Sequence, residues 1–128
     1  MTSYTINLPP VSKKNSQRII TNRKTGRIMI LPSKKYKEYE EAAGAFISRP
    51  EKPINFACNV KCTFYMPTRR KCDLTNLLEA IDDVLVKYGI LEDDNYTIIA
   101  SHDGSRVYYD KENPRTEIEI LEVKNELL

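Results

Sequence analysis

The sequence has few of the features that would staple, anchor or repeat it. It carries three cysteines, an odd number that cannot all pair within one chain. Cys58 and Cys62 are four apart, Cys72 stands alone and His102 is the only histidine, so the CxxC spacing of a structural zinc site is missing. Unpaired thiols fit a reducing, cytosolic setting. No apolar run approaches the roughly 18 residues that a membrane-spanning helix needs. The opening Met1-Thr2-Ser3-Tyr4-Thr5-Ile6 lacks the charged-then-apolar layout of a signal peptide. With 4 Gly and 7 Pro, collagen and low-complexity disorder are excluded. There is no internal repeat and no linker, so residues 1–128 are expected to form a single domain. A chain of 128 residues with 41% apolar side chains should bury about two-thirds of its unfolded surface, enough for a core without staples.

Acidic residues are absent before Glu38. Residues 1–37 hold nine basic groups, Lys13, Lys14, Arg18, Arg23, Lys24, Arg27, Lys34, Lys35 and Lys37, and the other 91 residues hold 11 basic and 18 acidic ones. A +9 segment joined to a −7 body suits a polyanion binder with an acidic centre; a solvated basic face on an ordinary domain suits it as well.

Tyr4-Thr5-Ile6-Asn7-Leu8 alternates as a half-buried strand does, and Pro9-Pro10 ends it. Arg18–Thr21 and Arg27–Ile30 flank Asn22-Arg23-Lys24-Thr25-Gly26, which predicts a β-hairpin with a basic tip. Ser33 is the expected N-cap of a helix over 34–48. Residues 55–65 read as a strand with Phe56, Cys58, Val60, Cys62 and Phe64 on the core face. Leu74, Leu77, Leu78, Ile81, Val84, Leu85 and Tyr88 make the apolar stripe of a second helix, which Gly89 stops. Further strands are expected over 96–100 and 116–120, with 106–109 as an extension. The expected fold is α+β, two helices packed on a mixed or antiparallel sheet.

The chemistry concentrates in residues 66–96. Arg69, Arg70 and Lys71 precede Asp73 at the start of the second helix; Asp82 and Asp83 lie off its apolar stripe, and a loop presents Glu92-Asp93-Asp94. Phosphodiester hydrolysis with a hard cation needs converging carboxylates and nearby cations for the phosphates. Asp73, Asp83 and Asp94 are the candidates. Each has a plainer reading: an N-cap for Asp73, a solvated helix face for Asp83, a polar turn for Asp93 and Asp94.

The stretch resembles the RusA-type Holliday junction resolvases. The shared pattern is Met66-Pro67, the basic Arg69-Arg70-Lys71, Asp73-Leu74-Thr75-Asn76-Leu77, then Asp83-Val84-Leu85, Gly89 and Asp93-Asp94. The flanks, Pro9-Pro10 with the basic segment after it and Pro114-Arg115, agree less specifically. The resemblance implies a small homodimeric endonuclease of bacteria or their phages that cuts four-way DNA junctions in recombination and repair. It implies Mg²⁺, with Mn²⁺ as an alternative, and no organic cofactor. Its metal carboxylates map to Asp73 and Asp94, with Asp93 beside them and Asp83 as the helix aspartate. Two positions depart from the pattern: its second aspartate is Thr75 here, and a lysine three residues after the Asn is Glu79. Thr75 and Glu79 share a helix face, so Glu79 is a candidate for the missing carboxylate, or else an ordinary surface glutamate. Lys13, Lys14, Arg23, Lys24 and Arg27 would meet the junction backbone, while Arg69, Arg70 and Lys71 would hold phosphates near the metal. The expected location is the cytoplasm of a bacterial or phage-infected cell, with no membrane partner. Two competitors are a non-catalytic branched-DNA-binding protein of the same fold and a structural protein of a phage particle.

Overall fold

The computed structural model describes residues 2–13, 18–31 and 33–124. In chain order the elements are β1 (Thr2–Ile6), β2 (Arg18–Thr21), β3 (Ile28–Leu31), α1 (Lys34–Ala43) with a 3₁₀ turn at Gly44–Phe46, β4 (Cys58–Met66), α2 (Leu74–Lys87), β5 (Ile99–Ser101), β6 (Arg106–Tyr109) and β7 (Arg115–Glu122). This is the expected α+β arrangement, and the sheet is mixed. β1 pairs antiparallel with β7, and β7 antiparallel with β4. On its other side β4 runs parallel to β5 and then to β6. β2 and β3 form a separate hairpin.

Period-two patterning sets the core face. Cys58, Val60, Cys62 and Phe64 of β4 are buried, as are Ile118 and Ile120 of β7. The stripe of α2, led by Leu77, Ile81, Val84 and Leu85, joins them in one cluster with Tyr39 and Ala43 of α1. Cys58 and Cys62 are thus small hydrophobes, and burial pushes the Cys62 thiol well above its usual range. Ser33 caps α1, its side chain accepting from Tyr36 N at 3.0 Å. α1 is tied to α2 where Tyr36 Oη donates to the Ala80 carbonyl (3.2 Å) and Tyr88 Oη to that of Glu40 (2.7 Å). A Cβ on Gly44 would meet the Tyr88 ring at 2.6 Å, so only glycine lets the two helices approach there. No helix among the described residues is long and apolar enough to cross a membrane.

Four expectations need correction. Phe56 is exposed rather than on the core face, because the β4 ladder begins at Cys58 and alternation dictates nothing outside it. The first helix leaves α geometry at Gly44 instead of reaching Ser48. The strand expected from Tyr96 starts at Ile99: Asn95 turns the chain, its carbonyl accepting from Ile98 N (3.0 Å) and its side chain from Thr97 N (2.9 Å). β1 sits earlier than 4–8, because its ladder on β7 ends at Ile6↔Thr116.

Leu85 is fully buried between helix and sheet, whereas Leu121 faces water. Leu85→Ala is expected to cost about 2–5 kcal/mol, and Leu121→Ala to stay within about 0.5 kcal/mol of wild type. Denaturant titration of both variants tests the assignment; equal midpoints would contradict it.

Candidate active site and nucleic-acid interface

The site is built along α2. Asp73 occupies its N-cap position with extended backbone, but its side chain makes no capping bond. Instead Asp73 Oδ2 accepts from Asn76 Nδ2 at 3.3 Å, and the carboxylate stays exposed. The capping alternative therefore does not account for it. Thr75, Glu79 and Asp83 follow at intervals of four, one ridge of the helix. At 1.5 Å per residue, Asp73 and Asp83 are roughly 15 Å apart along the axis. The expectation that Asp73, Asp83 and Asp94 meet at one ion is thereby corrected: a straight helix keeps the first two apart.

Asp83 already has a cation. Its Oδ2 accepts from Lys13 Nζ at 2.7 Å, with both side chains partly buried. That hydrogen bond raises the Lys13 ammonium above its ordinary value, more than burial lowers it, and the charges of Glu79 and Glu40 add to the effect. Lys13, expected to face DNA, is turned onto the body of the protein. Lys14 lies outside the described residues.

Asp82 is the residue that the sequence reading passed over. Its side chain is only 16% exposed, and its Oδ2 lies 3.0 Å from His102 Nε2. His102 Nδ1 lies 2.7 Å from the Val60 carbonyl. A carbonyl only accepts, so Nδ1 carries a hydrogen. The Nε2 contact is a hydrogen bond only if one further proton is present, on the imidazole or on Asp82. Burial raises the Asp82 pKa, the charges of Asp94 and Asp83 push the same way, and His102 opposes both. Asp82 Oδ1 is buried with no hydrogen-bond partner among the described residues. The signal was present in the sequence: position 82 is four after Leu78 and three before Leu85, at the border of the buried stripe, and the chain has one histidine to pair with it.

After Gly89, whose φ is 73°, the chain reaches the acidic loop. Asp93 Oδ1 accepts from Asp94 N (2.7 Å) and Oδ2 from Asn95 Nδ2 (2.9 Å), and these bonds hold its carboxyl below the usual range. Asp93 therefore shapes the turn. Asp94 moves the other way: burial, its neighbour Asp93 and the charge of Asp83 raise its pKa. Asp82, Asp83 and Asp94 thus share one field of negative charge. Among the described residues, no group of three or more His, Cys, Asp or Glu is close enough to enclose a metal ion. Mg²⁺ does not require such a group; it keeps several waters and commonly takes one or two carboxylates plus substrate phosphate. All-oxygen donors and crowded like charges fit a hard cation of that kind.

Basic residues are exposed on two further elements. Arg69, Arg70 and Lys71 are exposed on the loop between β4 and α2. A cavity of about 350 Å³ at that end of α2 is lined by Pro9, Pro10, Ser12, Lys35, Arg70 and Lys71, among others. Arg23, Lys24 and Arg27 stand exposed at the hairpin tip, where Gly26 has a φ of 70°.

His102, as the only histidine, gives a single imidazole titration by NMR. Burial lowers its pKa, but the hydrogen bond and charge of Asp82 outweigh this and leave it raised. A midpoint above the ordinary value of about 6.5 is expected, falling in Asp82→Asn. A raised folded-state pKa gives stability that is full below about pH 6.5 and is lost as pH rises through the folded value. The stability gap between wild type and His102→Gln should therefore narrow over that rise. A midpoint unchanged by Asp82→Asn would contradict the pairing.

A family model described as endodeoxyribonuclease RusA matches residues 7–121, a span that contains all of α2, the acidic loop and the basic loop. No curated protein matches the chain. With the match running through nearly its whole length, the chain belongs to the RusA endodeoxyribonuclease family.

Proposed function

We propose that this protein is a divalent-cation-dependent, structure-selective endodeoxyribonuclease that resolves four-way DNA junctions as a homodimer. The observation that carries the reading is the position of Asp94. It is raised in pKa by burial and by neighbouring carboxylates, on an all-oxygen acidic edge of a chain whose α2 starts beside a basic cavity. A four-way junction has two-fold symmetry, and a two-fold dimer would offer one such edge to each of two strands.

Asp94 is the proposed cation ligand, and Asp73, exposed at the start of α2, is proposed as a second, separate carboxylate that cleavage needs. Asp83 is already neutralised by Lys13, whereas the Asp73 carboxylate is exposed and makes no capping bond. Glu79, one turn from Thr75, is proposed as the acid that replaces the family's second aspartate. A divalent cation bound at Asp94 would polarise the scissile phosphate and activate water for attack. Arg70 and Lys71 hold the flanking phosphates, and the hairpin tip adds sequence-independent backbone contacts. The second reading, junction binding without cutting, is favoured by one observation, the neutral Thr75 where the family pattern has an acid.

Nicking of a labelled junction separates these assignments. Asp73→Asn, Asp94→Asn and Glu79→Gln should each reduce cleavage by about 100-fold or more while junction binding is kept. Asp83→Asn should leave the cleavage rate within severalfold of wild type. Loss of cleavage in Asp83→Asn with full activity in Asp73→Asn would reverse the assignment of these two carboxylates. Binding by wild type without any nicking would establish the second reading.

A further inference from the structure

The sheet carries a row of planar side chains that no step above uses. Tyr65, on the central strand β4, is in register with Arg115 of β7 on one side and with Tyr108 of β6 on the other. The Arg115 guanidinium carbon lies 3.7 Å from the Tyr65 ring centroid. The Tyr65 and Tyr108 rings are stacked, with centroids 5.6 Å apart and planes 23° from parallel. Because Arg115 and Tyr108 come from strands on opposite sides of β4, they cover opposite faces of Tyr65. The result is a three-layer column that runs across the strands.

The column is fixed at one end and open at the other. Arg115 Nε donates to Glu117 Oε2 (2.8 Å) and Nη1 to Asp110 Oδ2 (3.1 Å), so the guanidinium plane is clamped. At the far end β6 pairs with β4 alone among the described strands, so no further strand continues the row. Tyr108 is 49% exposed there. The next layer of the stack is a flat space at the sheet edge.

Charge selects the occupant of that space. Tyr108 borders an open groove of about 360 Å³ whose other walls include Arg69, Arg70, Lys71 and Tyr109, with the Arg69 guanidinium 4.2 Å over the Tyr109 ring. The carboxylates on the Tyr65 face are engaged, Glu117 by Arg115 and Glu119 by Lys61 at 3.7 Å. A flat aromatic end beside three consecutive cations suits a ligand that joins a planar ring to a phosphate, which is a nucleotide of a single strand. A peptide strand added to β6 would satisfy the edge amides but has no use for three cations.

We propose that Tyr108 stacks an unpaired DNA base, as the fourth layer of the Arg115–Tyr65–Tyr108 column, while Arg69 holds the adjoining phosphate. This deepens the proposed function and rests on its reading of DNA as the substrate: it assigns a position for a base displaced near the branch, apart from the acidic edge.

The sequence has no tryptophan, so Tyr108→Trp introduces a single reporter. Titration is done with chelator present, so that cleavage plays no part, using an oligothymidylate of about a dozen residues and, separately, inorganic polyphosphate. Quenching by the oligonucleotide, no quenching by polyphosphate, and no quenching of a Phe56→Trp control are expected. In the protein without tryptophan, Tyr108→Leu should weaken oligothymidylate binding about tenfold and leave polyphosphate binding unchanged, and Tyr108→Phe should restore it. Oligonucleotide that binds without quenching, or fails to bind at all, would overturn the proposal. So would emission that changes with protein concentration in the absence of DNA, because the edge would then be occupied by a second copy. A protein that quenches in this way yet never cuts a junction would retain the stacking site and lose only the nuclease reading.

Discussion

The seating of α2 on the core face of β4 is the constraint on which the rest depends. Leu77, Ile81, Val84 and Leu85 share one buried cluster with Val60, Cys62 and Phe64, which seats the helix on the sheet. The Asp82–His102–Val60 chain of contacts adds a polar tie, since it joins one polar group of the helix to a ring that is itself joined to the β4 backbone. A helix turns about 100° per residue, so fixing Asp82 also fixes where Asp83 and Glu79 point. Burying a carboxylate without a partner is costly, and here a hydrogen-bonded imidazole offsets the cost.

Charge is distributed in three ways around this helix. Carboxylates with structural tasks are paired or hydrogen-bonded: Asp83 with Lys13, Glu40 with Lys87 at 2.9 Å, and Asp93 with its own turn. Asp94 lies in the field of like charges, which is where a cation gains most. Exposed basic groups stand on loops, Arg70 and Lys71 at one end of α2 and Arg23, Lys24 and Arg27 on the hairpin. Phosphate neutralisation needs only such exposed cations, whereas phosphodiester chemistry needs carboxylates held in register. In the proposed function the two requirements fall to different elements.

Much of the fold was legible because the periodicities are clean. The stripe of α2, the alternation of β4 and the basic-tipped hairpin follow from spacing alone, and Ser33 from its capping chemistry. Phe56 and Tyr96 misled because each continues an alternating pattern past the end of its hydrogen-bond ladder, where alternation has no physical consequence. The acidic loop and the basic loop stand out in the sequence as clusters of charge, and the role proposed for Asp94 starts from the first of them. The Lys13–Asp83 bond joins residues 70 apart in sequence, and no local pattern encodes such a contact. Asp82 and His102 were missed for a related reason: each looks ordinary alone, and only the packing of β5 beside β4 makes them partners. The Arg115–Tyr65–Tyr108 row likewise depends on strand order, which the sequence left open between mixed and antiparallel.

The central claim is that a chain with this acidic edge on α2 and its loop, and with exposed cations on its basic loop and hairpin, cuts DNA at a branch. The most direct measurement is strand cleavage by the wild-type protein on a synthetic four-way junction and on a linear duplex of matched sequence, each with Mg²⁺ and with chelator. The account predicts paired, symmetric nicks in the junction with Mg²⁺, none with chelator, and little or no cutting of the duplex. Equal cutting of both substrates, or junction cleavage that persists in chelator, would contradict it.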